Sequence, residues 1–230
     1  MKIGGFQKTT LLDYPEHVSA IIWTVGCNFR CPFCYNTGLV NEESDLFSEE
    51  EILDFLEKRK SFLEALTISG GEPFLQSDLK EFARKVKNLG YKIKIDTNGT
   101  FPDKLKEMIE EKLVDYVSMD IKAPKEKYST LSGVNPNMEK IEQSINILKN
   151  SGIDYEFKTT IVPEFLDKED IVKTSKWIKD SKKYYLQQFK NDIPVISKDL
   201  ENLKPYSTEY LENILNEIKP YFKECKLRGT

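Results

Sequence analysis

The sequence predicts an α/β fold, a partial (βα)6 TIM-like barrel with parallel strands, and two observations carry this expectation. Short apolar or β-branched runs alternate with longer segments of helical period, six times along the chain, which is the pattern of βα units on a largely parallel sheet. The residues of unusual chemistry fall at or just after the ends of the predicted strands, on the side where parallel barrels and sheets gather their ligand-binding loops.

The first strand is expected at Val18–Thr24, an apolar and β-branched run. Ser48-Glu-Glu-Glu51 then reads as a capping box, and Ile52, Leu53, Phe55 and Leu56 give the helix it opens an apolar face. A second strand at Glu64–Ser69 leads into a helix over Ser77–Leu89, and a third at Lys92–Asp96 into one over Asp103–Lys112. Strands at Tyr116–Asp120, Tyr155–Val162 and Tyr184–Gln188 follow, separated by helices at Asn137–Asn150 and Lys168–Lys179, with a terminal helix at Ser207–Tyr221. No repeat signature, low-complexity tract or Gly/Ser linker interrupts the series, so residues 1–230 are expected to form one domain.

Composition excludes several classes. The 230 residues are 39% hydrophobic and 31% charged, and 34 Lys and Arg stand against 38 Asp and Glu for a formal net charge of −4. Such a balance offers no general attraction to nucleic-acid phosphates, so nucleic acid is not an expected partner. The longest apolar run, Val18 to Val25, is too short to cross a bilayer, and MKIGGFQKTT lacks the apolar core of a secretion signal. A cytoplasmic protein without a membrane partner is expected. In a reducing compartment, clustered cysteines read as metal ligands or redox groups rather than as a disulfide framework.

Four polar clusters sit at strand ends. Cys27, Cys31 and Cys34, three of the four cysteines, lie within the eight residues CNFRCPFC. A helix would turn this spacing into a buried stripe, but Pro32 and the preceding Gly26 favour a loop that wraps its thiols around something. Zinc would want a fourth ligand, for which only His17 or Cys225 could be recruited. An iron–sulfur cube held by three thiolates would leave one iron open to a small molecule. Gly70-Gly71-Glu72-Pro73 describes either a plain strand-to-helix turn or a backbone on which a ligand can lie, with Glu72 able to accept from an ammonium group. Asp96-Thr97-Asn98-Gly99 is either a turn or a carboxylate that meets a cation or hydroxyl. Asp120 and Lys122 share the inward face of their strand, as an ion pair or as contacts to a charged ligand. The dinucleotide fingerprint G-x-G-x-x-G is absent, and His17, the only histidine, gives a Ser or Cys hydrolase little support.

CNFRCPFC resembles the CxxxCxxC signature of the radical S-adenosylmethionine (SAM) enzymes, and Gly70–Pro73 matches that family's GGEP segment. The wider stretch GGFQKTTLLDYPEHVSAIIWTVGCNFRCPFCYN, with DTNG, MDIK and YLQQF downstream, is similar to activating enzymes of glycyl radical enzymes. Within them it most resembles the anaerobic ribonucleoside-triphosphate reductase activating proteins, over Ile3 to about Asp192. Tyr35 departs from the His that many activases carry after the third cysteine.

The resemblance implies roles. Cys27, Cys31 and Cys34 would ligate three irons of a [4Fe-4S] cluster, and SAM would chelate the fourth. Phe33 would lie along the adenine; Gly71 and Glu72 would hold the SAM amino group, with Gly70 and Pro73 of the same segment also cofactor-binding; Asp120 and Lys122 would bind its ribose or carboxylate. Asp96 would help hold a monovalent cation, and Asn98, Lys158 and Gln188 are further cofactor-binding candidates. A cluster with a potential as low as roughly −700 mV can reduce a nearby sulfonium. The resulting 5′-deoxyadenosyl radical would take hydrogen from a glycine Cα of a partner, expected to be an anaerobic ribonucleotide reductase. The electron would come from a low-potential donor such as flavodoxin or ferredoxin. A pyruvate formate-lyase-type activating enzyme and a radical SAM enzyme acting on a small molecule are the alternatives.

Overall fold

The computed structural model describes residues 1–229, and within them the strands form one sheet. β1 (Ile3–Thr10), β2 (Ser19–Thr24), β3 (Ala65–Gly70), β4 (Lys92–Thr97), β5 (Tyr116–Asp120), β6 (Asp154–Ile161), β7 (Ser181–Gln188) and β8 (Phe222–Arg228) follow one another in space in chain order. β1 runs antiparallel to β2, and every later pair is parallel. The helices are α1 (Thr37–Val40), α2 (Glu49–Lys58), α3 (Leu79–Asn88), α4 (Pro102–Glu110), α5 (Tyr128–Ser132), α6 (Met138–Asn150), α7 (Lys168–Trp177) and α8 (Thr208–Ile218).

All six expected strands are present, that at Tyr116–Asp120 with the same bounds. The six βα units stand, and two outer strands that went unread bring the sheet to eight strands. β1, IGGFQKTT, opens with two glycines and closes with polar residues, so it lacks the apolar signal of a buried strand. β8, FKECKLR, puts only Cys225 in the core and intersperses four charges, which hide its alternation. The terminal helix accordingly ends at Ile218, a 3-10 turn around Pro220 reverses the chain, and β8 pairs with β7. The capping box at Ser48 is made in one direction, Glu51 N–H to Ser48 Oγ at 3.1 Å. The reciprocal form occurs at α7, where Asp167 and Asp170 cap each other's backbone N–H.

Strand alternation separates two environments. Along β4 to β6 the fully buried Ile93, Ile95, Val117, Met119 and Phe157 form one set with the apolar helix faces, in a core that runs from Ile3 to Cys225. Burying each such side chain contributes about 1.5–3 kcal/mol. The alternate positions, Lys94 and Asp96, Ser118 and Asp120, Glu156 and Lys158, turn to the inside of the curved sheet and carry its charges. With β1 and β8 at opposite edges the barrel is not closed.

Candidate cofactor site

The cysteine segment is a loop pinned by backbone hydrogen bonds on several sides, as Pro32 and Gly26 led one to expect. Gly26 N–H donates to Leu39 O at 2.8 Å and Arg30 N–H to Ser132 O at 2.8 Å, while Ile196 and Ser197 donate to Cys34 O and Pro32 O at 3.0 and 2.9 Å. All four cysteines are free thiols. Cys27, Cys31 and Cys34 line one cavity of about 570 Å³, a size typical of a cofactor site. Burial pushes Cys27 up to about 12 and Cys31 to about 11, and raises Cys34 as well. They are protonated thiols at neutral pH, and ligation to metal displaces those protons.

The glycines of the second cluster are required by the first. A Cβ on Gly71 would lie 1.9 Å from Gly26 O, and one on Gly70, whose φ is +117°, 2.3 Å from Thr24 N. The two loops are also stitched together, Gly71 N–H to Thr24 O and Glu72 N–H to Gly26 O, both at 2.9 Å. Gly70 and Gly71 thus let one backbone lie on another, and both also line the cavity. Glu72 does not reach it. Its carboxylate is wholly buried and accepts from Phe74 N–H (3.1 Å), Thr97 Oγ1 (2.8 Å) and Asn98 N–H (2.7 Å), while burial pushes its pKa up to about 7. These three donors make Glu72 a strut that ties its own loop to Thr97 and Asn98. Pro73 likewise opens a buried 3-10 turn away from the cavity.

Asn98 carries this scaffold back to the cysteines. Its side-chain amide donates to Asn28 Oδ1 at 2.8 Å, and Asn28 donates to Thr100 Oγ1 at 2.9 Å. Asn28, between the first two cysteines, was not among the expected site residues. Its chemistry is that of any loop amide, and only the fold brings it to residue 98.

Across the cavity stand Asp96, Asp120, Lys122, Lys158 and Gln188, all expected, with Phe33 below the Lys122 ammonium, 5.8 Å from its ring centre. Asp96 does not stand bare. Burial alone would raise its pKa, but Lys158 and Lys94 hold it at about 2, with Lys94 Nζ 2.8 Å from Oδ1 and Ser69 Oγ donating to Oδ2 at 2.9 Å. Lys122 Nζ is 3.0 Å from Asp120 Oδ2. Asp96 Oδ1, although ion-paired, has no aligned hydrogen-bond donor, and neither has Gln188 Oε1. Lys94 Nζ at 2.8 Å already serves Asp96 Oδ1, which leaves Gln188 Oε1 as the buried acceptor of this set without a partner.

Sequence reasoning missed Lys94, Glu156 and Arg228, which also line the cavity. Glu156 is fully buried and takes both guanidinium nitrogens of Arg228, together with Tyr116 Oη (2.8 Å) and Ser118 Oγ (2.9 Å). Burial opposes ionisation, but Arg228 outweighs it and lowers the Glu156 pKa. Arg228→Met leaves that carboxylate without its cation and is expected to destabilise the fold by about 3 kcal/mol. Because the folded-state pKa is depressed, the pair's contribution is present above the unfolded carboxylate pKa and is lost as pH falls through the folded value. Urea titrations of both proteins should therefore differ at pH 7 and converge in acid. Equal midpoints at pH 7 would contradict this.

The sequence model of the Radical SAM superfamily matches residues 21–178, which span the cysteine loop and the inward charges of β4 to β6. The chain belongs to the radical SAM superfamily. This family uses a [4Fe-4S] cluster and S-adenosylmethionine, so the chain is a radical SAM enzyme. A Methanocaldococcus jannaschii protein, provisionally named a glycyl-radical enzyme activating enzyme, is 35% identical over 93% of this chain and 94% of its own. Among solved structures, Streptococcus suis SuiB bound to S-adenosylmethionine superposes with a TM-score of 0.70 at 16% identity. That match covers 91% of this chain, which spans 50% of SuiB. A domain of the pyruvate-formate lyase-activating enzyme of Bacteroides vulgatus gives 0.58 at 16% identity, over 72% of this chain and 99% of the domain. The last two show the shared fold.

The residues present fit the family's cofactors. Three thiols face one cavity, and its wall also carries carboxylates, ammonium groups and Gln188, whose Oε1 has no partner. Among the described residues no three His, Cys, Asp or Glu side chains converge on one metal ion. A four-iron cube takes each thiolate on a different iron and does not ask for such convergence.

Proposed function

We propose that this radical SAM enzyme is an activase that places a glycyl radical on a partner protein, an anaerobic ribonucleoside-triphosphate reductase. The observation that carries the reading is the near full-length similarity to a relative named for glycyl-radical enzyme activation. Cys27, Cys31 and Cys34 would hold the cluster, which when bound and reduced would supply the electron for cleavage of S-adenosylmethionine. The chain's own residues bind, orient and shield. Phe33 offers a buried ring for the adenine, and Gln188, whose Oε1 has no partner, is the candidate acceptor for a ribose hydroxyl. Gly70 and Gly71 offer backbone to the methionine portion, and Asp120 and Lys122 opposite charges to its polar end. Glu72 and Asn98 act from behind, by holding the cysteine loop.

The open edge between β1 and β8 supports a polypeptide substrate. Leu12, 93% exposed, and Ile193, 41% exposed, belong to the wall of the same cavity, so an apolar rim meets solvent there. Residues Thr9–Pro15 form part of this docking surface, stiffened by a Thr10 Oγ1 to Asp13 Oδ2 hydrogen bond of 2.6 Å. Residues 1–230 act as one radical SAM domain. No helix among the described residues is long and apolar enough to cross a membrane. A cytoplasmic setting, with flavodoxin or ferredoxin as donor, suits the free thiols.

The test is to mix the reduced enzyme and S-adenosylmethionine anaerobically with each candidate partner and record electron paramagnetic resonance spectra. A glycyl radical doublet with the reductase is the expected result. A doublet only with pyruvate formate-lyase would move the assignment to that partner, and none with either, alongside turnover of a small molecule, would overturn it.

A further inference from the structure

On the inward face of β4, β5 and β6 two carboxylates meet three ammonium groups. Lys94 pairs with Asp96 at 2.8 Å and Lys122 with Asp120 at 3.0 Å. Lys158 is the shared member, its Nζ 3.8 Å from Asp96 Oδ2 and 3.8 Å from Asp120 Oδ1. Sheet register holds it there, since Lys158 is the direct neighbour of Asp120 across β5 and β6. A strand mouth with two carboxylates is where a soluble monovalent cation would be expected to settle. Here an ammonium already stands between them. A second cation in that gap would stand beside the ammonium and be repelled by it. The set is already one positive charge in excess, three lysines against two aspartates.

We propose that Lys158 is the tethered cation of this site, taking the place of a soluble monovalent ion between Asp96 and Asp120. The monovalent cation expected from the sequence is thus supplied by the chain, and S-adenosylmethionine binding does not depend on sodium or potassium. The inference rests on S-adenosylmethionine as cofactor and not on the identity of the protein partner, so either can fail alone.

The test is the equilibrium Kd for S-adenosylmethionine of the anaerobically reconstituted holoenzyme, measured in potassium, sodium or tetramethylammonium chloride at fixed ionic strength. The native protein is expected to give one Kd in all three salts. Lys158→Met should bind at least about tenfold more weakly in tetramethylammonium, a loss of about 1.4 kcal/mol, and should recover in potassium or ammonium, which fit the vacated gap. Lys158→Arg should stay independent of the salt. A native Kd that rises about tenfold without potassium or sodium would overturn the proposal. So would a Met variant that is equally weak in every salt, because Lys158 would then be a plain ligand contact. If the Met variant fails to retain iron, the native series alone decides.

Discussion

Cys31→Ala is expected to take the reconstituted protein from about four irons per chain to almost none, with loss of its visible absorption. Cys31 is the most buried of the three cavity thiols, and no histidine or fourth cysteine stands beside it to replace it. His17 is occupied with Glu64 and Lys92, at 3.1 and 2.8 Å, and Cys225 lies on β8 away from the cavity lining. Cys225→Ser should therefore keep its full iron content and its S-adenosylmethionine cleavage. The methyl of alanine fits where the thiol was, so circular dichroism of Cys31→Ala should match the parent. Unchanged iron in Cys31→Ala, or lost iron in Cys225→Ser, would mean that the ligands are miscounted.

Gly71→Ala is expected to damage fold and cofactor together. The new methyl would sit 1.9 Å from the carbonyl oxygen of Gly26, and the neighbouring atoms are backbone that cannot swing aside. Overpacking of this kind costs about 3 kcal/mol. In a chain of this size that lowers Tm by roughly 6–12 °C. Iron retention should fall with it, because Gly26 precedes the first ligand. A variant with parental Tm and iron would show that the two loops are not coupled as described.

How much of this was legible in the sequence depended on the kind of signal. Strands β2 to β7 announce themselves because their outward residues are β-branched or large and apolar, as at Ile93 and Ile95. The cysteines were legible because spacing and Pro32 together exclude a helix. β8 was hidden by the feature that makes it useful: it brings a charge, Arg228, to the inside of a polar barrel, so its alternation carries no hydrophobic signature. Lys94 and Glu156 were hidden for the same reason. Glu72 shows a different limit. Its residue type suits a ligand ammonium, but only the fold reveals that Thr97, Asn98 and Phe74 already donate to its oxygens. The pairing of Asp96 with Lys158 was not legible, because Lys158, 62 residues later, meets it only across the sheet.

Isotope transfer tests the central claim most directly. A glycyl radical enzyme bearing α-deuterated glycine is incubated anaerobically with the reduced activase and S-adenosylmethionine, and the 5′-deoxyadenosine is examined by mass spectrometry. If this chain removes hydrogen from a protein glycine, one deuterium appears in the 5′-deoxyadenosine for each glycyl radical formed. If cleavage proceeds to deuterium-free 5′-deoxyadenosine while the partner stays without a radical, the protein is not an activase.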